Sequence, residues 1–435
     1  MDEGAAPVPI LIPITLIGWI PVCLILFMVV PRRQAVLLGT VGAWLFLPSL
    51  GISITGLPSY TKVSAFSYGI VLGTLIFAPD RIARFRPIWL DLPIVGMVLG
   101  PFVSSILNGL GLYDGLSMIN LTVTEWGFAY LIGRVHFDDA RDVRAIVTAM
   151  ILGGIVYIPI CLLEMAVGPI LLMKLYAVGV RAQIRFGSFR PQGFFREGLE
   201  LGFWMSGCSA LGLWMARCRG VGRIAGLSFN LIWLPMLVVT TVLCRSSGAL
   251  ALLAMGLAVL WTSVRFRTRL VMLIWLSLGL LYPAVRMNDL WDYDGLITFL
   301  EENFDESRAK SLDFRLENED VLMEKALLKP LFGWGGWGRA RVYTSTGHDV
   351  TVTDGYWVIV LGNNGVIGLI FFTLAFVGPA FAFVARYPPR RWTEPDVGAM
   401  AAASTLVGMY MVDSLMNAFP NAVFMTMVGA LASAA

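Results

Sequence analysis

Residues 9–30 read Pro9-Ile-Leu-Ile-Pro-Ile-Thr-Leu-Ile-Gly-Trp-Ile-Pro-Val-Cys-Leu-Ile-Leu-Phe-Met-Val-Val30, followed at once by Pro31-Arg32-Arg33. The run carries no charge and is long enough to cross a bilayer, which takes about 20 apolar residues. The acidic start, Met1-Asp2-Glu3-Gly4, lacks a basic n-region, so the run reads as a retained anchor and not a cleaved signal. Working outward, comparable apolar stretches recur near 35–52, 63–79, 89–107, 117–134, 145–168, 199–216, 225–243, 247–264, 270–286, 355–385, 398–416 and 418–434. The pattern predicts thirteen spans, within a range of twelve to fourteen.

Composition agrees. The 435 residues are 57% hydrophobic and 14% charged, with mean hydropathy +0.75. Soluble chains carry about 25% charged residues. So little charge excludes a soluble enzyme, a disordered chain and a secreted disulfide scaffold. The net charge of +3 gives no reason to expect a nucleic-acid partner. Five scattered cysteines (Cys23, Cys161, Cys208, Cys218, Cys244) form no metal or redox spacing and read as buried small hydrophobes. The expected fold class is therefore all-α, a polytopic helical membrane bundle forming one domain over 1–435.

Orientation follows from Lys and Arg in the short loops. Alternate loops carry Arg32 and Arg33; Arg81, Arg84 and Arg86; Arg134, Arg141 and Arg144; Arg217, Arg219 and Arg223; Arg265, Arg267 and Arg269; then Arg386, Arg390 and Arg391. Those 17 mark the cytoplasmic side; the opposite short loops hold only Lys62 and Arg245. The N-terminus is then expected outside. The other 13 basic residues gather at two longer outer segments. Segment 169–198 has Lys174, Arg181, Arg185, Arg190 and Arg196 against the single acid Glu197. Segment 287–354 is a large outer loop with seven basic and fourteen acidic residues, preceded by Arg286. Apolar Leu312, Leu316, Val321, Leu322 and Leu327 among its charges predict one or two amphipathic helices over 297–328. Pro330 and the run Gly333-Trp334-Gly335-Gly336-Trp337-Gly338 should end them.

Several side chains there could carry chemistry. Arg185, Arg190 and Arg196 stand at the lip of a span, and a guanidinium presents a planar fork to phosphate oxygens. Generic headgroup contact or pairing with the acidic loop would also explain them. Arg245 can snorkel to headgroups or face a polar cavity. Trp334, Trp337 and Trp357 offer flat faces for a sugar or for the membrane surface. Asp354 can cap the helix it precedes or act as a general base, and His348 is the alternative base. Glu125 and Asp413 are ionisable groups in or near spans, a functional signal by default. Asp292 and Asp294 have metal-pair spacing, but such spacing is common by chance, and no metal is expected.

Taken in order, Arg190-Pro191-Gln192-Gly193-Phe194, the Ser246-Ser247-Gly248 turn, Arg315 ahead of Pro330-Leu331-Phe332-Gly333-Trp334-Gly335, and Asn364-Gly365-Val366-Ile367-Gly368-Leu369 resemble the O-antigen ligase / O-antigen polymerase family over roughly 185–370. The resemblance implies a GT-C-like membrane glycosyltransferase of bacterial polysaccharide assembly, in the cytoplasmic membrane and independent of metal or other cofactor. Such enzymes move a glycan from undecaprenyl diphosphate to a saccharide hydroxyl on the outer face. It also implies that Arg190 and Arg315 hold the diphosphate. Two departures stand out. The family's turn usually reads Ser-Arg-Gly, whereas here Arg245 is displaced by two. Asp354 stands where ligases usually place a histidine, which is closer to the polymerase or exopolysaccharide branch. The competing reading is a multi-pass transporter or flippase of lipid-linked or anionic solutes, against which count the single large loop and the lack of related halves.

Overall fold

The computed structural model describes residues 9–54, 56–180, 182–185, 187–303 and 306–435, without the side chains of residues 306–308. The chain start, Met1 to Gly4, and Arg181 lie outside these residues. The protein is mostly helical, with three two-stranded hairpins at 52–60, 184–189 and 223–228 as its only sheets among the described residues. Among the described residues, seven helices are long and apolar enough to cross a membrane: Leu11–Val29, Trp89–Leu107, Ala140–Val167, Ser247–Arg265, Leu270–Met287, Tyr356–Arg386 and Pro395–Met416.

Every other apolar stretch is also helical, but several are shorter than the hydropathy suggested. The stretch at 35–52 yields the helix Arg32–Phe46, after which Pro48 and Gly51 lead into the first hairpin. The last yields only Ala422–Ala434. Thirteen residues rise about 20 Å, short of a hydrocarbon core of about 30 Å. That helix is an interior element: Asn421 caps it through the Val423 and Phe424 amides, and nearly every side chain is buried. It lies so close to the helix Phe128–His136 that a Cβ on Gly133 would sit 2.1 Å from the Thr426 carbonyl oxygen. Small residues allow that backbone approach.

Pro395–Met416 is the hub, packed against the helices Ala140–Val167, Gly198–Arg217, Ser247–Arg265, Leu270–Met287 and Tyr356–Arg386. At one end of the bundle the arginines of alternate connections pair with acids of their neighbours. Arg32 meets Asp80 at 2.8 Å, Arg33 meets Asp142 at 2.6 Å, Arg81 meets Asp138, and Arg144 meets Asp396 at 3.0 Å. The two long segments gather at the other end, the loop face.

The large loop holds two helices, Asp294–Asn303 and Glu306–Leu327. Glu319 pins the second to the bundle, accepting from Arg286 Nε at 2.9 Å, the Tyr282 hydroxyl at 2.8 Å and the Trp357 indole at 3.0 Å. Arg339 pairs with Asp114 at 2.7 Å and ties the end of the loop to the helix Gly111–Thr122.

Beyond it, the Gly-Trp run knits into a break in the helix Tyr356–Arg386. Gly365 takes φ +68°, ψ −171° there, which interrupts the backbone ladder. The freed groups find partners in the run. Trp334 and Gly335 amides donate to the Gly362 and Asn363 carbonyls at 2.8 and 2.9 Å, and the Val366 amide donates to the Pro330 carbonyl at 2.8 Å. The two backbones nearly touch: a Cβ on Gly333 would lie 2.5 Å from the Asn363 carbonyl carbon. Two motifs that read as separate signals are one joint.

Candidate functional site

The Arg190 segment owes its shape to a residue from a different helix. Glu164, fully buried near the end of Ala140–Val167, accepts from the amides of Leu171, Gln192 and Gly193 at 3.2, 2.8 and 2.6 Å. Gly193 (φ +57°) lies against Tyr157, whose hydroxyl accepts from the Phe194 amide at 3.2 Å. A carboxylate satisfying clustered amides folds the chain into a tight turn. The turn feeds the helix Gly198–Arg217, where Glu200 accepts from the Arg196 amide at 2.8 Å.

Within the turn, Arg190 is only 3% exposed. Its Nη2 donates to Ser246 Oγ at 3.1 Å and its Nη1 to Gln183 Oε1 at 3.3 Å, while Nε is buried without a partner. No carboxylate forms an ion pair with it among the described residues. Burial, reinforced by Arg185 beside it, pulls the guanidinium down to about 10, so it keeps its charge at neutral pH. Arg190 lines a cavity of about 310 Å³ together with Gln183, Gln192, Arg196, Glu197 and Gly198. Arg185 and Arg245 are outside its lining; Arg185 is exposed, and its carbonyl accepts from Arg245 Nη1.

A larger cavity of about 510 Å³ adjoins the first, with Arg196 and Glu197 in the walls of both. Arg315, Arg341, Asp354 and Asn417 also line it. Arg315 Nε lies 3.4 Å from Asp354 Oδ2, and its Nη1 donates to the Met416 carbonyl at 3.0 Å. The turn at 190–198, the loop helix, the approach to the Tyr356–Arg386 helix and the end of the hub helix thus converge, although far apart in sequence. Arg341 reaches Thr353 Oγ at 3.2 Å and pairs with Asp349 at 2.5 Å, and that hydrogen bond holds the Asp349 carboxyl below its ordinary range.

No family model and no curated protein matches the chain. Its own geometry must therefore sort the residues that the sequence singled out.

Arg190, Arg196, Arg315 and Asp354 face the two cavities. His348 does not: it sits exposed in the turn between Tyr343 and Asp349 and lines neither cavity. Trp357 is 2% exposed and gives its indole N–H to Glu319, so its ring has no face for a sugar. Trp334 has Lys325 and Lys329 ammonium groups 4.0 and 4.2 Å from its ring centre, and its indole donates to the Lys325 carbonyl. Trp337 is exposed but lines neither cavity. Glu125 lies in a π-turn at 123–127, half-buried, and lines neither cavity. Asp413 lies behind the larger cavity and accepts from Asn417 Nδ2 at 2.8 Å. Asp292 accepts from the Asp294 amide, a local turn contact.

Sequence reasoning missed Glu164, Arg341 and Asn417. For Asn417 a signal existed in its spacing of four from Asp413 at a helix end. Glu164, a lone acid inside an apolar run, carried the same signal as Glu125 and was passed over.

Proposed function

We propose that the protein is a multi-pass glycosyltransferase of the bacterial cytoplasmic membrane, similar to O-antigen ligases and polymerases, with the loop face outside. Its donor is a glycan on undecaprenyl diphosphate and its acceptor a saccharide hydroxyl. The observation that carries this reading is the convergence of Arg190, Arg196, Arg315 and Asp354 on two adjoining cavities. Three guanidinium groups suit a diphosphate. Of these, Arg190 is already desolvated, so it meets developing negative charge with little competition from water.

In this reading the donor diphosphate lies along Arg190, Arg196 and Arg315, and the acceptor enters the larger cavity beside Asp354. One Asp354 oxygen faces Arg315, and Oδ1 has no protein partner among the described residues. That oxygen takes the proton as the acceptor hydroxyl attacks the anomeric carbon. The bond from that carbon to the phosphate oxygen breaks, its electron pair leaves with the polyprenyl diphosphate, and the configuration inverts. No step uses a metal or a cofactor. The 17 arginines of the short loops support placing the opposite face in the cytoplasm.

The test is transfer by purified protein in proteoliposomes supplied with a lipid-linked oligosaccharide and no ion gradient. Wild type should lengthen or transfer the glycan. Asp354→Asn keeps the shape and removes the base, and should cost about 10²–10⁴-fold in rate. Arg315→Ala should abolish transfer at unchanged membrane levels. Wild-type yield from Arg315→Ala would sink the assignment.

A further inference from the structure

The larger cavity holds a guanidinium and a carboxylate whose proposed roles conflict unless something keeps them apart. Arg and Asp side chains pair most strongly as a two-pronged fork, with both carboxylate oxygens engaged. Here the closest approach, Nε to Asp354 Oδ2, is 3.4 Å. Something else holds the other end of Arg315.

That end is held by the last turn of the hub helix. Arg315 Nη1 donates to the Met416 carbonyl at 3.0 Å and to Asn417 Oδ1 at 3.4 Å. Asn417 is itself doubly tied to Asp413, through its backbone amide to the Asp413 carbonyl at 2.8 Å and its Nδ2 to Asp413 Oδ1 at 2.8 Å. Asp413 Oδ1 accepts from this amide, and a guanidinium only donates. A single side chain bridging the two needs a donor at one end and an acceptor at the other. A primary amide of this length supplies both, and Asp413 fixes which end faces Arg315.

We infer that Asn417, oriented by Asp413, is a positioning residue that holds Arg315 out of a closed fork with Asp354. This rests on the transfer reading above. With Nη1 anchored on the helix end, Arg315 Nη2 has no protein partner among the described residues and Asp354 keeps a free oxygen. One group can then face a diphosphate while the other takes a proton. Without the anchor the guanidinium closes onto Asp354, and both groups are lost together.

The test compares wild type with Asn417→Leu, Asn417→Ala and Asp413→Asn, all full-length in proteoliposomes. Phenylglyoxal labelling of Arg315, read by peptide mass spectrometry against Arg341 as an internal reference, needs no activity. Labelling should slow in Asn417→Leu and Asn417→Ala, because a fork shields the guanidinium. It should recover when Asp354→Asn is added, and stay at the wild-type rate in Asp413→Asn, which keeps an acceptor for Asn417. In the transfer assay, both Asn417 variants should lose about ten- to a hundredfold in kcat with the acceptor KM unchanged. Unchanged Arg315 labelling in both Asn417 variants overturns the inference, as does a wild-type kcat in an active preparation. An inactive wild type with the expected labelling pattern overturns the transfer reading and leaves the positioning intact.

Discussion

The two long segments of the loop face use arginine in opposite ways. In the 287–354 segment and at its edge, three arginines are closely paired within the protein, Arg286 with Glu319 and Asp320, Arg339 with Asp114, and Arg341 with Asp349, while Arg315 comes no nearer than 3.4 Å to Asp354. In segment 169–198, Arg185, Arg190 and Arg196 have no carboxylate at ion-pair distance among the described residues, and Arg190 is buried as well. A buried cation without a counter-charge costs folding energy. The difference separates charge that holds the loop in place from charge left available to an anion.

That contrast can be broken by substitution. Between the two segments' arginines that this contrast sets apart, the largest effect on transfer is expected at Arg190. Arg190→Ala should reduce glycan transfer by at least about 10²-fold, the cost of removing one fixed donor from a site of developing charge. Its unfolding midpoint should fall little, since no charged partner is stranded and only the neutral Ser246 and Gln183 lose a hydrogen bond. A clear loss of stability would place Arg190 with the structural set.

Arg286→Ala should do the reverse. Arg286 and Glu319 are 4% and 5% exposed, so removing one strands the other and costs about 3–5 kcal/mol in denaturant unfolding. Gly333→Ala tests the joint beneath the loop. Positive φ and the Asn363 backbone together make the change cost about 1–3 kcal/mol, with faster amide exchange at 330–335. No change would mean that the run and the helix break are not coupled.

The smallest effect belongs to the half-exposed Arg341–Asp349 pair. Arg341 lowers the folded-state value of Asp349, so the pair contributes above the ordinary carboxylate range of about 4 and loses that contribution as pH falls through the lower value. Amide protection around 343–349, taken relative to the intrinsic exchange rate at each pH, should therefore be greater at pH 7 than at pH 3. The gap should shrink in high salt, because an exposed pair is screened.

Much of the fold was legible before any coordinates. Period and hydropathy located the helices, and charge among apolar residues located the two loop helices, because these are properties of neighbours in the chain. Helix length was less legible: 418–434 is apolar enough for a span, but its helix begins only at Ala422, after Asn421 supplies a cap. The tryptophans misled for a related reason. An aromatic beside glycines looks available, and only packing shows that Trp357 is committed to Glu319 and Trp334 to two lysines.

The sequence by itself determined that this chain belongs in a membrane, which ends of its helices carry basic residues, and which arginines are surplus to local acids. Composition and order suffice for those. Tertiary structure alone decided that Asp354 and not His348 shares a cavity with Arg315, that Glu164 shapes the Arg190 turn from a neighbouring helix, and that Asn417 stands between Asp413 and Arg315. Each of those depends on groups separated by tens to hundreds of residues, which meet only when helix packing fixes their distance.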